Sequence, residues 1–148
     1  MRFVIPVLCL AIFLLSCNKD KFNTKPTLEF KDVNTKLVDK GDALRLTLNV
    51  TDLEGDLTDS MFIFKVVRNC ARDTPKIKWN IPEFPTNKNL DIDIEVAYAY
   101  RNPGLGIPPL PEPQCGRNDT CIFRFVIRDK AGNLSDTINS PEIVIVKP

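Results

Sequence analysis

The chain contains no histidine, one tryptophan and two tyrosines. Without histidine there is no Ser-His-Asp or Cys-His nucleophile system, and the commonest metal ligand is missing. The formal net charge is only +1, and no basic cluster interleaves with aromatic residues. A chain of this kind has no electrostatic attraction for nucleic acid. We therefore predict a protein that is not an enzyme and has no nucleic-acid partner.

Long apolar runs are also scarce, and the one at the start of the chain is short. It extends from Phe3 to Leu15 after a basic residue, Arg2. A membrane-spanning helix needs roughly 20 apolar residues, so this run is too short to cross a bilayer. A charged start, a short apolar core and a small residue, Ser16, are typical of a removable signal peptide. We assign residues 1–16 to that peptide.

The end of this segment, Leu14-Leu15-Ser16-Cys17, resembles the lipobox of bacterial lipoproteins. The resemblance implies cleavage before Cys17 and acylation, including palmitate, of that residue. Stable anchoring takes at least two acyl chains, which a lipoprotein cysteine carries. The predicted partner is thus a membrane, bound through Cys17, and the predicted location is the cell envelope at the outer membrane. The periplasmic and the surface-exposed side both stay open, as does an ordinary secretory signal with a chance cysteine.

The rest of the chain divides into a short tether and one domain. Residues 17–26 are polar and without apolar periodicity, which is typical of a flexible linker. Residues 27–148 are enough for a single domain with its own core.

Short stretches of the domain alternate apolar and polar residues, most regularly from Leu44 to Val50 and from Leu90 to Tyr98. Such alternation indicates half-buried strands. In the stretch from Met61 to Arg68, we expect Phe62, Phe64 and Val66 to face the core because Lys65 belongs to the other face. About seven short strands separated by turns predict an all-β fold, an antiparallel β-sandwich of immunoglobulin or fibronectin-III type.

Three segments carry a family resemblance: Lys25-Pro26-Thr27-Leu28, Asp52 to Asp56, and Arg128 to Asn133. They resemble uncharacterised single-domain Ig-like lipoproteins of the Bacteroidetes type. The resemblance implies the same β-sandwich fold and the same envelope location. It implies no activity.

Two turns of the domain carry acidic residues that suit calcium. Asp52, Glu54 and Asp56 lie in one turn, and Asp129 or Asn133 could join them from another. Calcium takes six to eight oxygen ligands, which carboxylates and amide oxygens supply. The alternative is a hairpin turn with solvated carboxylates. Calcium is the one cofactor that the sequence suggests.

Three cysteines remain in the domain: Cys70, Cys115 and Cys121. An exported chain lies where disulfides persist, so we expect one bridge among them. Strand alternation places Cys70 and Cys121 on inward faces of neighbouring strands, which favours the Cys70–Cys121 pair. The alternative pair, Cys115–Cys121, would close a small ring at the end of a proline-rich loop.

That loop, from Tyr100 to Asp119, is the predicted partner-binding segment. Loops of this length are uncommon in compact domains unless they are functional, and prolines lower the entropy lost on binding. The side chains predicted to contact a partner are Tyr98, Tyr100, Arg101, Leu105, Ile107 and Leu110. The alternative is a rigid lid over one end of the sandwich. Trp79 is expected to anchor the core rather than to stack on a sugar.

These observations predict a lipid-anchored envelope lipoprotein that acts as a non-catalytic binding or structural module of unknown ligand. One alternative is a surface adhesion module that binds calcium or carbohydrate. Another is an accessory subunit of a larger envelope complex. In each case the further partner is a protein or a glycan.

Overall fold

A computed structural model of the chain describes residues 24–57, 60–70, 75–85 and 88–148. The predicted signal peptide, Cys17 and most of the predicted tether lie outside the described residues. Within these ranges, no helix is long and apolar enough to span a membrane.

The described residues are almost entirely strands and loops, with one short 3-10 turn at Pro103–Leu105. This confirms the prediction of an all-β fold. The strands are β1 (Thr27–Val33), β2 (Leu37–Val38), β3 (Ala43–Asp52), β4 (Ser60–Val67), β5 (Lys76–Asn80), β6 (Leu90–Ala99), β7 (Asp119–Arg128), β8 (Ile138–Asn139) and β9 (Ile143–Ile145).

The strands form two sheets. The first has the order β1-β3-β6, and the second has the order β2-β9-β7-β4-β5 with β8 beside β7. Neighbouring strands are antiparallel except for β2 and β9, which are parallel. One hydrophobic core draws its buried side chains from both sheets. Strands β3 and β6 pair along their whole length, from Ala43 opposite Ala99 to Asp52 opposite Leu90.

The alternation in β3 has the predicted phase. Leu44, Leu46, Leu48 and Val50 are fully buried, and the residues between them are exposed or half-buried. Burying each leucine contributes about 1.5–3 kcal/mol, so this face of β3 strongly fixes its register in the sandwich. Strand β7 supplies the matching face of the second sheet with Cys121, Phe123, Phe125 and Ile127.

The predicted phase of β4 is wrong. Met61, Ile63, Lys65 and Val67 are buried, whereas Phe62, Phe64 and Val66 are half-buried on the outer face. Lys65 can lie inside because its ammonium group forms an ion pair with Asp119, and both side chains are fully buried. The outer phenylalanines are covered in part by Lys76, whose Nζ lies 4.9 Å from the ring centre of Phe62 and 5.5 Å from that of Phe64.

The preferred disulfide pairing is also wrong, and so is its alternative. Cys70 is bonded to Cys115, and Cys121 is buried outside the disulfide. Register explains the difference: β4 and β7 place Val67 opposite Cys121. Cys70 follows three residues beyond that point, so it has passed Cys121 and meets the loop that leads into β7.

The sandwich has two chemically different ends. At one end, which we call the acidic end, β3 finishes at Asp52 and β7 finishes at Arg128. At the other, which we call the loop end, Ala43 and Ala99 pair next to the proline-rich loop. The chain enters at the acidic end, because Thr27 pairs with Thr51.

Candidate metal centre

Two turns meet at the acidic end: residues 52–57 after β3 and residues 129–133 after β7. The backbone N–H of Lys130 donates to the carbonyl of Asp56 at 3.0 Å. The N–H of Ala131 donates to Oδ2 of Asp56 at 3.2 Å. The two turns that the sequence singled out for calcium are therefore joined directly.

Asp52 shapes the first turn. Its carboxylate is buried and accepts hydrogen bonds from the backbone N–H of Glu54 at 3.4 Å and of Asp56 at 2.9 Å. Gly55 adopts a φ of 70°, a conformation that glycine takes without steric cost. Asp52 thus folds the turn that presents its two acidic neighbours.

Asp129 plays the same part in the second turn. It is fully buried, and its two oxygens accept from the backbone N–H of Asn133 at 2.7 Å and from Nδ2 of Asn133 at 2.8 Å. The amide of Asn133 is therefore a donor that orients Asp129. Each Asp129 oxygen keeps acceptor capacity, because a carboxylate oxygen has two lone pairs.

Three carboxylates converge between these turns. One oxygen each from Glu54, Asp56 and Asp129 lies within 4.8 Å of the other two. Oε1 of Glu54 and Oδ1 of Asp56 are buried and have no hydrogen-bond partner among the described residues. A buried acceptor without a partner costs about 1–3 kcal/mol, so this arrangement is unfavourable as it stands.

The pKa of Asp56 also indicates that negative charge at this site is not compensated. Burial raises the pKa of the Asp56 carboxyl above its usual value, and the negative charges of Asp129 and Asp52 raise it further. A cation between the carboxylates would offset both effects, since it favours the ionised form.

The structure separates the five predicted calcium residues into two roles. Glu54, Asp56 and Asp129 each place one oxygen within 4.8 Å of the other two, while Asp52 and Asn133 hold the turns in shape. Sequence spacing could not make this distinction, because it depends on which backbone N–H groups each carboxylate accepts.

No protein-family model matches the chain, and no curated protein matches its sequence. Among solved structures, the sporulation control protein Spo0M from Bacillus subtilis aligns with a TM-score of 0.48 at 10% identity, over 84% of this chain and 51% of that one. A β-glucosidase from Listeria innocua in complex with gluconolactone aligns with a TM-score of 0.39 at 8% identity, over 84% of this chain and 16% of that one. This chain therefore spans about half of the first structure and a small part of the second. Neither likeness carries an inference about function.

The proline-rich loop is folded onto the sandwich, which corrects the expected role of two of its residues and of Tyr98 in β6. Tyr98, Tyr100 and Leu110 are almost completely buried and offer little surface to a partner. The hydroxyl of Tyr100 donates to the carbonyl of Val146 at 2.7 Å. Burial raises the pKa of Tyr98 to about 12.

The other three predicted contact residues are accessible in different degrees. Arg101 is exposed and donates twice to Glu112, at 2.8 and 2.6 Å. Leu105 is exposed, and Ile107 is half-buried. Because the loop closes on its own ion pair and on the core, its arrangement favours the lid interpretation.

A small apolar groove lies between the edges of the two sheets. Its volume is about 230 Å³. Trp79 is half-buried and packs against the core, as expected, with its accessible part in the groove. The groove is lined by Ile63, Ile77, Trp79, Glu95, Val96, Ala97, Tyr98, Ile107 and Pro108.

Proposed function

We propose that this chain is a lipid-anchored, non-catalytic immunoglobulin-like module of the cell envelope that binds calcium at its acidic end. The observation that carries the calcium site is the pair of buried carboxylate oxygens, Oε1 of Glu54 and Oδ1 of Asp56, which have no hydrogen-bond partner among the described residues. The same two residues and a third acid, Asp129 on the neighbouring turn, each have one carboxylate oxygen within 4.8 Å of the other two.

The ligand chemistry favours calcium over other divalent cations. All three candidate ligands are hard carboxylate oxygens, and the chain has no histidine to favour zinc or copper. Magnesium demands near-ideal octahedral geometry, whereas calcium tolerates irregular sets of six to eight oxygens. Calcium sites in extracellular modules have dissociation constants on the order of 10⁻⁴–10⁻³ M, and a site of three carboxylates belongs in that class.

Binding would tie the two sheets together at one end. Glu54 and Asp56 follow β3 of the first sheet, and Asp129 follows β7 of the second. A ligand that binds only the folded state stabilises it by about 2.7 kcal/mol at a hundredfold excess over its dissociation constant. The proposed role of calcium is therefore to stiffen the end at which the chain enters the domain.

The strand order supports the immunoglobulin-like type. The sheet order β9-β7-β4-β5 corresponds to strands G, F, C and C′ of that architecture, and β1-β3-β6 corresponds to A, B and E. The lipid anchor rests on the lipobox-like Leu14-Leu15-Ser16-Cys17 alone.

Calcium titration of the purified protein tests the site. We expect binding heat and a higher melting temperature at millimolar calcium, with at least a tenfold loss of affinity in Asp56→Asn. The exposed Asp39 lies in the turn before β3, so Asp39→Asn is a matched control that should bind as the wild type does. Lowering the pH should weaken binding before an ordinary aspartate would protonate, because the pKa of Asp56 is raised.

The raised pKa of Asp56 also determines whether Asp56→Asn stabilises or destabilises the calcium-free protein. A carboxyl whose pKa is higher in the folded state destabilises that state as the pH rises from the ordinary aspartate value through the raised one. Asp56→Asn should therefore leave the calcium-free protein at least as stable as the wild type at neutral pH. If the folded wild-type protein shows neither binding heat nor a higher melting temperature at millimolar calcium, the proposed calcium site is wrong.

Fractionation of the expressing cells tests the anchor separately. The wild-type chain should sediment with membranes and show acylated Cys17 in its intact mass, and Cys17→Ser should lose both properties. Cys9→Ser changes a cysteine inside the apolar run and should keep them. A mature wild-type chain with an unmodified Cys17 thiol would contradict the anchor without affecting the calcium result.

A further inference from the structure

Two edge strands of this sandwich have complementary chemistry. Strand β5 ends the second sheet and β6 ends the first. Among the described residues, β5 pairs only with β4. Strand β6 pairs with β3, and the described part of the chain meets its outer edge only at Ala99, which bridges to Pro109.

The side chains of both strands alternate between an apolar inner face and a charged outer face. Strand β5 has Ile77 and Trp79 on its inner face, with Lys76, Lys78 and Asn80 exposed. Strand β6 has Ile92 and Ile94 on its inner face, with Asp91, Asp93 and Glu95 exposed. One outer face is thus basic and the other acidic.

The backbone of β6 directs particular residues toward its open edge. The N–H of Ala99 donates to Pro108 at 2.8 Å, and its carbonyl accepts from Leu110 at 2.8 Å. Both groups of Ala99 therefore point away from β3. Because this direction repeats every two residues along a strand, the N–H and C=O groups of residues 91, 93, 95 and 97 also point to the open edge.

The same reasoning applies to β5. The N–H of Lys65 donates to the carbonyl of Pro75 at 3.3 Å, so Pro75 faces β4, and residues 77 and 79 do likewise. The N–H and C=O groups of residues 76, 78 and 80 consequently point to the open edge. On β5, and on β6 from residue 91 to residue 95, the residues with outward backbone groups are those with polar, exposed side chains.

We propose that β5 of one copy of this chain pairs in antiparallel fashion with β6 of a second copy. In a hydrogen-bonded antiparallel pair, opposite residues exchange both backbone bonds and project their side chains to the same face. The register that matches charge places Lys76 opposite Glu95, Lys78 opposite Asp93 and Asn80 opposite Asp91. The apolar side chains then continue one inner face across both copies.

Parallel pairing does not offer this match. In a parallel ladder, a residue whose backbone groups face the partner lies opposite a residue whose groups face away. Lys78 would then lie opposite Ile92 or Ile94 rather than opposite an acid. The backbone phase and the charge pattern thus agree only in the antiparallel arrangement.

Pairing of like edges is disfavoured by the same charges. Two β5 strands would oppose lysines, and two β6 strands would oppose carboxylates, and like charges directly opposite each other destabilise a strand pair. Among the described residues, Arg45 donates to Oε1 of Glu95, and Asp93 accepts from Lys31 at Oδ2 and from Asn49 at Oδ1. These exposed ion pairs leave lone pairs for a lysine of the second copy.

Both edges of one copy border the same groove, which Ile77 and Trp79 of β5 line together with Glu95 of β6. Two copies can therefore exchange both contacts about a two-fold axis and form a closed dimer. Each contact has only five residue pairs, and small interfaces give weak, salt-sensitive association. The inference is independent of calcium binding and of lipid anchoring.

Cysteine cross-linking between differently tagged chains tests the register. Full-length Lys78→Cys and Asp93→Cys proteins are mixed and mildly oxidised. The Cα atoms of a hydrogen-bonded antiparallel pair are about 5.5 Å apart, which is suitable for a disulfide. We expect the mixed cross-link to exceed several-fold that of Lys78→Cys with Glu29→Cys, since Glu29 is exposed on β1 at the opposite edge of the first sheet.

Charge reversal beside the cross-link separates pairing from random collision. Adding Lys76→Glu to the Lys78→Cys chain should lower the mixed yield several-fold, and adding Glu95→Lys to the Asp93→Cys chain should restore it. High salt should lower the original yield. A mixed yield equal to the Glu29→Cys control, or one that does not respond to Lys76→Glu, would overturn the proposal.

Discussion

Replacing Lys65 by methionine is expected to lower the free energy of unfolding by about 3–5 kcal/mol, because it leaves a buried carboxylate without its counter-ion. Lys65 and Asp119 have fully buried side chains. The same ammonium group donates to the carbonyl of Pro111 at 3.0 Å. Urea unfolding, followed by the fluorescence of the single tryptophan, would measure the loss.

Two further variants test the physical reason for that loss. Lys65→Met combined with Asp119→Leu removes both charges and should recover most of the stability, since an apolar pair avoids the desolvation cost. Lys25→Met breaks an exposed ion pair with Asp136 and should cost less than about 1 kcal/mol. A Lys65→Met protein as stable as Lys25→Met would contradict the buried pair.

Removing the disulfide should have an effect of similar size. Cys70 and Cys115 are 45 residues apart in sequence. A cross-link that closes a loop of this length stabilises by about 4 kcal/mol on the chain-entropy model, because it restricts the unfolded chain. Cys70→Ala/Cys115→Ala should therefore show a lower unfolding midpoint in urea.

Chemical reduction provides the matched control for the disulfide. Dithiothreitol should lower the midpoint of the wild type to that of the double variant and should leave the double variant unchanged. Since Cys121 lies outside the disulfide, its thiol should not contribute to the difference. An unfolding midpoint that reduction does not change would contradict a stabilising Cys70–Cys115 bond.

The fold class was predictable because it depends on local patterns. Each of the stretches Leu44 to Val50 and Leu90 to Tyr98 alternates with a period of two, and each lies in a ten-residue strand. The phase of β4 was not predictable in this way. Lys65 is buried because of Asp119, which is 54 residues away, and no local pattern contains that partner.

The disulfide pairing and the geometry of the candidate site also depend on contacts that no local sequence pattern contains. The cysteine pairing depends on the register that sets Val67 opposite Cys121, whereas alternation alone indicates only which face a cysteine occupies. For the acidic turns, residue type and spacing selected two turns that the structure joins through Asp56, and calcium binding there stays a prediction. Which carboxylates converge depends on backbone hydrogen bonds such as that from Ala131 to Asp56, which exist only in the folded chain.

Because the chain enters the domain at the acidic end, the length of the tether sets how far that end can lie from the membrane. In the anchored form that we propose, the seven residue-to-residue steps from Cys17 to Thr24 span at most about 25 Å when fully extended. The three carboxylates would then stay within reach of the lipid headgroups. Anionic headgroups enrich divalent cations only within about one Debye length of the surface, roughly 8 Å at physiological ionic strength. Calcium occupancy would therefore follow the composition of the nearby leaflet when the domain lies against the membrane, and the bulk calcium concentration when the tether is extended.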